Sequence, residues 1–218
     1  MDDLQPCPLC GHSPCRIFSE DKMGRYYRCD FCSTIFLDPA ALPQPEAERS
    51  RYALHQNHPT DKAYIAFLRR LSDPLCQLLD TGAGGLDYGC GPVPVLARLL
   101  EQKGLSVACY DPFFFPEQPA SEHRYDFITC CEVAEHFHRP KEEFSRMAQL
   151  LRPGGILGIM TSFFRETINF ADWYYRQDFT HVTFYTKKSM EYVADRFGFE
   201  ILKAEADRNV LFFTKTVG

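Results

Sequence analysis

The sequence predicts an α/β fold: a doubly wound, mostly parallel sheet with helices on both faces, preceded by a small cysteine-rich module. Three observations point there. From residue 85 onward, short apolar runs alternate with segments of helical spacing, as in repeated strand–helix–strand units. A glycine pair, Gly89-Cys90-Gly91, stands where the first such strand gives way to a helix. Five of the ten cysteines, Cys7, Cys10, Cys15, Cys29 and Cys32, crowd the first 32 residues. At 218 residues the chain has room for one full domain and a small module, a domain taking about 100–200 residues. The expected division is 1–38 for the module, 39–60 for a linker and 61–218 for the main domain.

Residues 5–38 read as turns and short strands, with 25–29 and 35–37 the strand-like stretches. Pro39, Pro43 and Pro45 discourage regular structure in the linker. A helix begins over 51–55 and stops at Pro59. Thr60 or Asp61 caps the next, whose apolar residues Tyr64, Ile65, Phe67, Leu68 and Leu71 recur at helical spacing. Pro74 breaks that helix, and Asp73 with Pro74 opens another. The core follows as strand 85–88, the glycine turn, helix 94–103, strand 106–110 ending at Asp111, and strand 125–130. Helix 141–151, closed by Arg152-Pro153-Gly154-Gly155, leads to strand 156–161. Residues 162–185 form an aromatic-rich excursion. Helix 187–197 ends at Gly198, and strands 200–205 and 210–215 close the sheet.

Composition excludes several classes. Hydrophobic residues at 45% and charged residues at 24% are near the globular average, which argues against disorder or low complexity. No apolar run approaches the ~18 residues that span a bilayer. The acidic start lacks the basic and apolar regions of a secretory signal. A soluble, cytoplasmic protein is the expectation. A net charge of −5 gives no bulk attraction to nucleic acid or anionic membranes.

Without an export signal, the clustered cysteines read as metal ligands. The later ones, Cys76, Cys90, Cys109, Cys130 and Cys131, read as small buried apolar residues. Cys7-x2-Cys10 and Cys29-x2-Cys32, eighteen residues apart, match the spacing of a four-cysteine zinc site. Two tight turns then present paired sulfurs to one tetrahedral ion. Four thiolates close the coordination sphere, so this zinc is structural, and it supplies stability that so small a module lacks. Cys15 and His12 are spare. Residues 1–40 carry four basic and six acidic side chains, which favours substrate capture, protein contact or a folded cap over tracking of phosphates.

The turn after the first core strand is the second motif. Glycines let the backbone bend sharply and approach a ligand. Asp111 ends the next strand, 24 positions after Asp87, where a carboxylate can accept hydrogen bonds from both hydroxyls of a ribose. Asp87-x-Gly89-x-Gly91 resembles motif I of the class I S-adenosylmethionine-dependent methyltransferases. Residues 125–137, Tyr-Asp-Phe-Ile-Thr-Cys-Cys-Glu-Val-Ala-Glu-His-Phe, resemble that family's fourth-strand motif, and Leu151-Arg152-Pro153-Gly154-Gly155 its segment before strand five. The likeness covers about 80–215, in matching order.

The resemblance implies a Rossmann-like methyltransferase domain with a shortened middle region, and S-adenosylmethionine as cofactor. It implies that Asp87, Gly89 and Gly91 flank the cofactor's methionine part. Asp111 holds the ribose, and Cys131, Glu132 and Val133 border the sulfonium or adenine edge. A nicotinamide enzyme needs Gly-x-Gly-x-x-Gly, and its last position here is Pro94.

Methyl transfer needs alignment of the nucleophile and, where the nucleophile carries a proton, a base. Two stretches offer one. Glu132-x-x-Glu135-His136 follows a strand, and 173–185 holds the one tryptophan, several tyrosines and Asp178-x-Thr180-His181. The candidate catalytic residues are His181 as general base, Asp178 to orient it, and Glu132. The expected acceptor is small or flat, a metabolite or sugar derivative. Methylation of RNA or protein, with the ribbon as recognition module, is one alternative. A non-catalytic cofactor-binding or zinc-dependent interaction protein is another. Tyr52, His55 and His58 are a further cluster: Tyr52 and His55 share a helix face that can line the pocket, while the two histidines near Pro59 read as surface or capping residues. The acceptor and the oligomeric state are not legible.

Overall fold

A computed structural model describes all residues except 1–4, 55–57, 118, 120–123, 206–208 and 218. His55 lies outside the described residues.

The amino-terminal module is an antiparallel hairpin of β1 (Arg16–Asp21) and β2 (Gly24–Arg28), extended by β3 (Ile35–Leu37). Asp21 Oδ1 accepts the Met23 N–H at 2.8 Å and holds the hairpin turn. Two equivalent knuckles flank the hairpin. Gly11 N–H returns to the Cys7 carbonyl at 2.9 Å, and Ser33 N–H to that of Cys29 at 2.8 Å.

The linker is more helical than expected. α1 (Pro45–Ala53) starts six positions before the helix expected over 51–55, because a proline at the first helical position loses no intrahelical bond. α2 (Lys62–Cys76) starts as expected, with Asp61 Oδ1 accepting the Ala63 and Tyr64 N–H groups. The predicted break at Pro74 does not occur. Only the last turn is weakened there, and Leu71 and Leu75, both fully buried, hold the helix against the sheet on either side.

The main sheet uses β4 (Gly84–Tyr88), β5 (Ser106–Tyr110), β6 (Tyr125–Cys131), β7 (Leu151–Met160), β9 (Phe199–Glu205) and β10 (Val210–Lys215). Their order is β5-β4-β6-β7-β10-β9. The first four are parallel, and β10 runs antiparallel to both neighbours. β7 begins earlier than expected. Leu151 pairs with Tyr125, residues 152–155 bulge, and Ile156 rejoins the ladder opposite Phe127.

Alternation along these strands feeds two cores. Phe127, Ile156 and Phe212 face Leu68 and Leu71 of α2 and Leu100 of α3 (Val95–Glu101). Ile128, Leu157 and Phe213 face α4 (Pro140–Leu150) and α5 (Lys187–Phe197). The α/β fold with helices on both faces is therefore as the sequence predicts.

The module is packed into this fold. Cys7, Leu9, Cys29, Cys32 and Phe36 belong to the same apolar cluster as the α4–α5 core. On its other side, Tyr26, Ile35 and Leu37 pack with Phe164, Phe170, Trp173 and Phe184 of the aromatic excursion. A short strand there, β8 (Thr183–Phe184), pairs with β3 and completes a four-stranded sheet, β1-β2-β3-β8.

Candidate active site

The chain crosses from β5 on one side of β4 to β6 on the other. Such a switch point opens a crevice at the carboxyl ends of the strands. A cavity of about 800 Å³ lies there, lined among others by Gly89, Gly91, Asp111, Glu132, Val133 and His181.

Its first wall is almost all backbone. Gly89 has φ +82°, and a Cβ there would sit 2.5 Å from both Val133 methyls. Its N–H and that of Cys90 both donate to the Tyr110 carbonyl, at 2.7 and 3.1 Å. Gly91, at φ +66°, donates to Asp111 Oδ2 at 3.0 Å. Asp111 Oδ1 accepts from Phe113 and Phe114 at 2.9 and 3.1 Å. These three bonds leave a carboxylate, with about four acceptor sites, room for a further donor on Oδ2. Asp87 lies beneath this lining, buried. It accepts the Thr129 hydroxyl at 2.8 Å, and the Ala97 N–H of α3 lies near enough to favour its charge. Burial pushes its carboxyl up to about 6.

The second wall is assembled from distant segments. Glu132, in the left-handed region at φ +52°, ends β6 with its N–H on the Met160 carbonyl at 2.7 Å. Strain of this kind costs about 1–3 kcal/mol and gathers at functional sites. Its carboxyl lies 3.4 Å from the Tyr175 hydroxyl. Burial, then the neighbouring Glu135 charge, push it up to about 9. Glu135 is fully buried and accepts the Thr161 hydroxyl at 2.9 Å. Among the described residues its Oε1 has no hydrogen-bond partner.

His136 Nδ1 meets the Thr180 carbonyl at 2.9 Å, and His181 Nδ1 meets the Tyr175 carbonyl at 2.6 Å. Nδ1 of His181 therefore carries the proton, and Nε2 is left with the lone pair. One ligand-type atom each from Glu135, His136 and His181 lie within 4.8 Å of one another. Burial lowers the His181 pKa from the ordinary value.

Asp178 is placed differently from the expectation that it orients His181. Its carboxylate takes the Arg51 guanidinium at 2.6 Å and the Thr180 hydroxyl and N–H at 2.7 and 3.1 Å. The orienting group for the imidazole is the Tyr175 carbonyl. Thr161 and Arg51 are not singled out by sequence, since no spacing links them to the β6 motif, and Tyr175 stands out there only as one of the tyrosines of 173–185. The polar Thr161 at the end of an apolar strand was the one available signal.

The sulfurs of Cys7, Cys10, Cys29 and Cys32 lie within 4.8 Å of one another. Cys7 and Cys32 are 3.6 Å apart, and Cys10 and Cys29 3.5 Å. Tetrahedral zinc with bonds of about 2.3 Å asks for sulfurs about 3.8 Å apart, so this donor set fits that ion. Cys15, with its thiol on the His12 carbonyl, stands outside the quartet.

A family profile described as "Methyltransferase domain" matches residues 54–204. The chain belongs to this methyltransferase family. The cysteine module lies outside the matched stretch of the methyltransferase. A ubiquinone biosynthesis O-methyltransferase of Serratia proteamaculans is 34% identical over 71 residues, 33% of this chain and 30% of that one. One from Cereibacter sphaeroides is 28% identical over 159 residues, 57% of this chain and 64% of that one. The chain thus spans less than two thirds of these relatives. Among solved structures, the Burkholderia thailandensis 1,6-didemethyltoxoflavin-N1-methyltransferase, bound to 1,6-didemethyltoxoflavin and S-adenosylhomocysteine, has the same fold. Its TM-score is 0.56 at 17% identity, covering 93% of this chain and 100% of that one. No helix among the described residues is long and apolar enough to cross a membrane.

Proposed function

We propose that this methyltransferase moves a methyl group from S-adenosylmethionine to a hydroxyl of a small-molecule acceptor. The observation that carries the reading is the cavity itself. One wall is a positive-φ glycine turn beside a carboxylate, and the other is a buried histidine–glutamate cluster. The relatives' O-methyltransferase names and the neighbour's S-adenosylhomocysteine support it.

The Gly89–Gly91 turn and Asp111 are the residues that would hold the cofactor, with Cys131, Glu132 and Val133 at its edge. Asp87 serves them from below by tying β4 to β6. When bound, the cofactor supplies a methyl already activated on a sulfonium. The protein's share is alignment and proton removal. His181 Nε2 takes the acceptor's proton, because burial keeps the imidazole neutral at pH 7. Glu132 keeps its own proton there and acts as a hydrogen-bond donor, not as a base. Asp178 and Arg51 fix the loop that carries His181. Zinc on Cys7, Cys10, Cys29 and Cys32 has no open position and serves structure alone.

The test is incubation with methyl-labelled S-adenosylmethionine and a fractionated cell extract. Label in the small-molecule fraction is expected. Label confined to RNA or protein would transfer the ribbon to substrate recognition, and no label in any fraction would contradict the enzyme assignment.

A further inference from the structure

The cysteine module reaches the cavity's second wall through a buried charge, Arg176. Arg176 is fully buried. Asp21, on the β1–β2 turn, takes its two terminal nitrogens at 2.8 and 2.6 Å. Nη1 also donates to the Ala171 carbonyl at 3.2 Å. The guanidinium lies over the rings of Tyr26 and Phe170, at 4.5 and 5.0 Å. A buried cation is tolerated only when paired, so the Arg176 position depends on the module's turn.

Stability alone does not call for this pair. Asp21 is one-third exposed while Arg176 is fully buried, and replacing a buried charge by an apolar side chain of similar volume is often neutral or stabilising. What a bidentate fork adds is a fixed geometry. That geometry passes directly to the site. Tyr175, the neighbouring residue, gives its carbonyl to His181 Nδ1 at 2.6 Å. Its hydroxyl lies 3.1 Å from Thr161 and 3.4 Å from Glu132. Two other ties bind the same regions: Arg28 with Glu166, and β3 with β8. Val182 adds a third, its carbonyl on the Leu37 N–H and its N–H on the Glu135 carbonyl.

We infer that Asp21 and Arg176 are positioning residues for methyl transfer: the module's hairpin turn holds segment 174–181, and through Tyr175 it sets the place and the dryness of His181. This rests on the reading of His181 as the base.

Two readouts need no acceptor. Trp173, the chain's one tryptophan, is buried in the aromatic cluster that Arg176 stacks on. The His181 ring can be titrated by NMR and assigned with His181→Gln. Glu135, His136 and Asp178 face it with their own charges. In Asp21→Asn, water should enter the segment. The His181 midpoint should climb toward 6.5, and Trp173 emission should shift to the red. Asp21→Glu should restore both in part.

Unchanged His181 and Trp173 signals in folded Asp21→Asn would overturn the inference. If that variant does not fold, Arg176→Lys, which keeps the charge and loses the fork, carries the same two outcomes. S-adenosylhomocysteine binding tests the function separately. Its absence from the unsubstituted protein would refute the methyl-transfer reading, whatever the two signals do.

Discussion

The two walls of the cavity are built on opposite plans. The wall at the ends of β4 and β5 comes from 23 consecutive positions, 89–111, and its contacts are mostly main-chain N–H groups at 2.7–3.1 Å. The facing wall takes its side chains from α1, the end of β6 and His181, and the segment that carries His181 is braced through Arg176 by a hairpin turn 155 residues away in sequence. The first can be kept whole by one sheet and two glycines. The second exists only while several distant elements are docked. On the proposed reading the first wall meets the cofactor and the second the acceptor, so the second can change without disturbing the first.

The largest effect should separate the walls outright. Structural thiolate zinc sites contribute on the order of 10 kcal/mol to folding. Chelation, or Cys29→Ala, should release about one zinc per chain, expose Trp173 and loosen His181. Metal analysis with tryptophan fluorescence checks this; a protein that never carried metal would remove the ribbon's role. Gly89→Ala attacks the other wall. The positive φ and the clash with Val133 should together cost about 2–3 kcal/mol, so cofactor binding should fall by one to two orders of magnitude, roughly. Trp173 emission should stay in place.

Asp111→Asn removes a charge that three backbone donors converge on. Such bonds are worth about 1.5–3 kcal/mol, and calorimetry should show binding weaker by roughly tenfold or more. The pH profile of methyl transfer should rise as His181 loses its proton below pH 6.5. It should fall again near pH 9, where Glu132 ionises. Stability has its own sign. Unfolded Glu132 ionises near 4.5 and the folded carboxyl only at about 9, so this group makes the protein less stable as pH rises between those values. Arg51→Met is the mildest. Its ion pair with Asp178 is partly exposed, and exposed pairs contribute about 0–1 kcal/mol, so melting should move little.

The same contrast explains what could be read from the chain. The Gly89–Gly91 turn and the grouping of the cysteine quartet were legible because a positive-φ turn and paired knuckles demand particular residue types at fixed spacing. The strand–helix order was legible because each strand alternates between two cores, as Phe127 and Ile128 do. The start of α1 was hidden by the prolines around it, one of which, Pro45, begins it. The Pro74 break failed because burial of Leu71 and Leu75 outweighed one lost hydrogen bond. The orienting role of Tyr175 is a main-chain carbonyl, which no side-chain pattern announces. The Asp21–Arg176 pair joins residues 155 positions apart, and nothing local marks either partner.

The most direct measurement is isothermal titration of S-adenosylhomocysteine into the zinc-loaded, folded protein, with Gly89→Ala alongside. The account predicts saturable heat from one site per chain, largely lost in the variant. A folded protein that gives no heat, or a variant that binds as well as its parent, would contradict it.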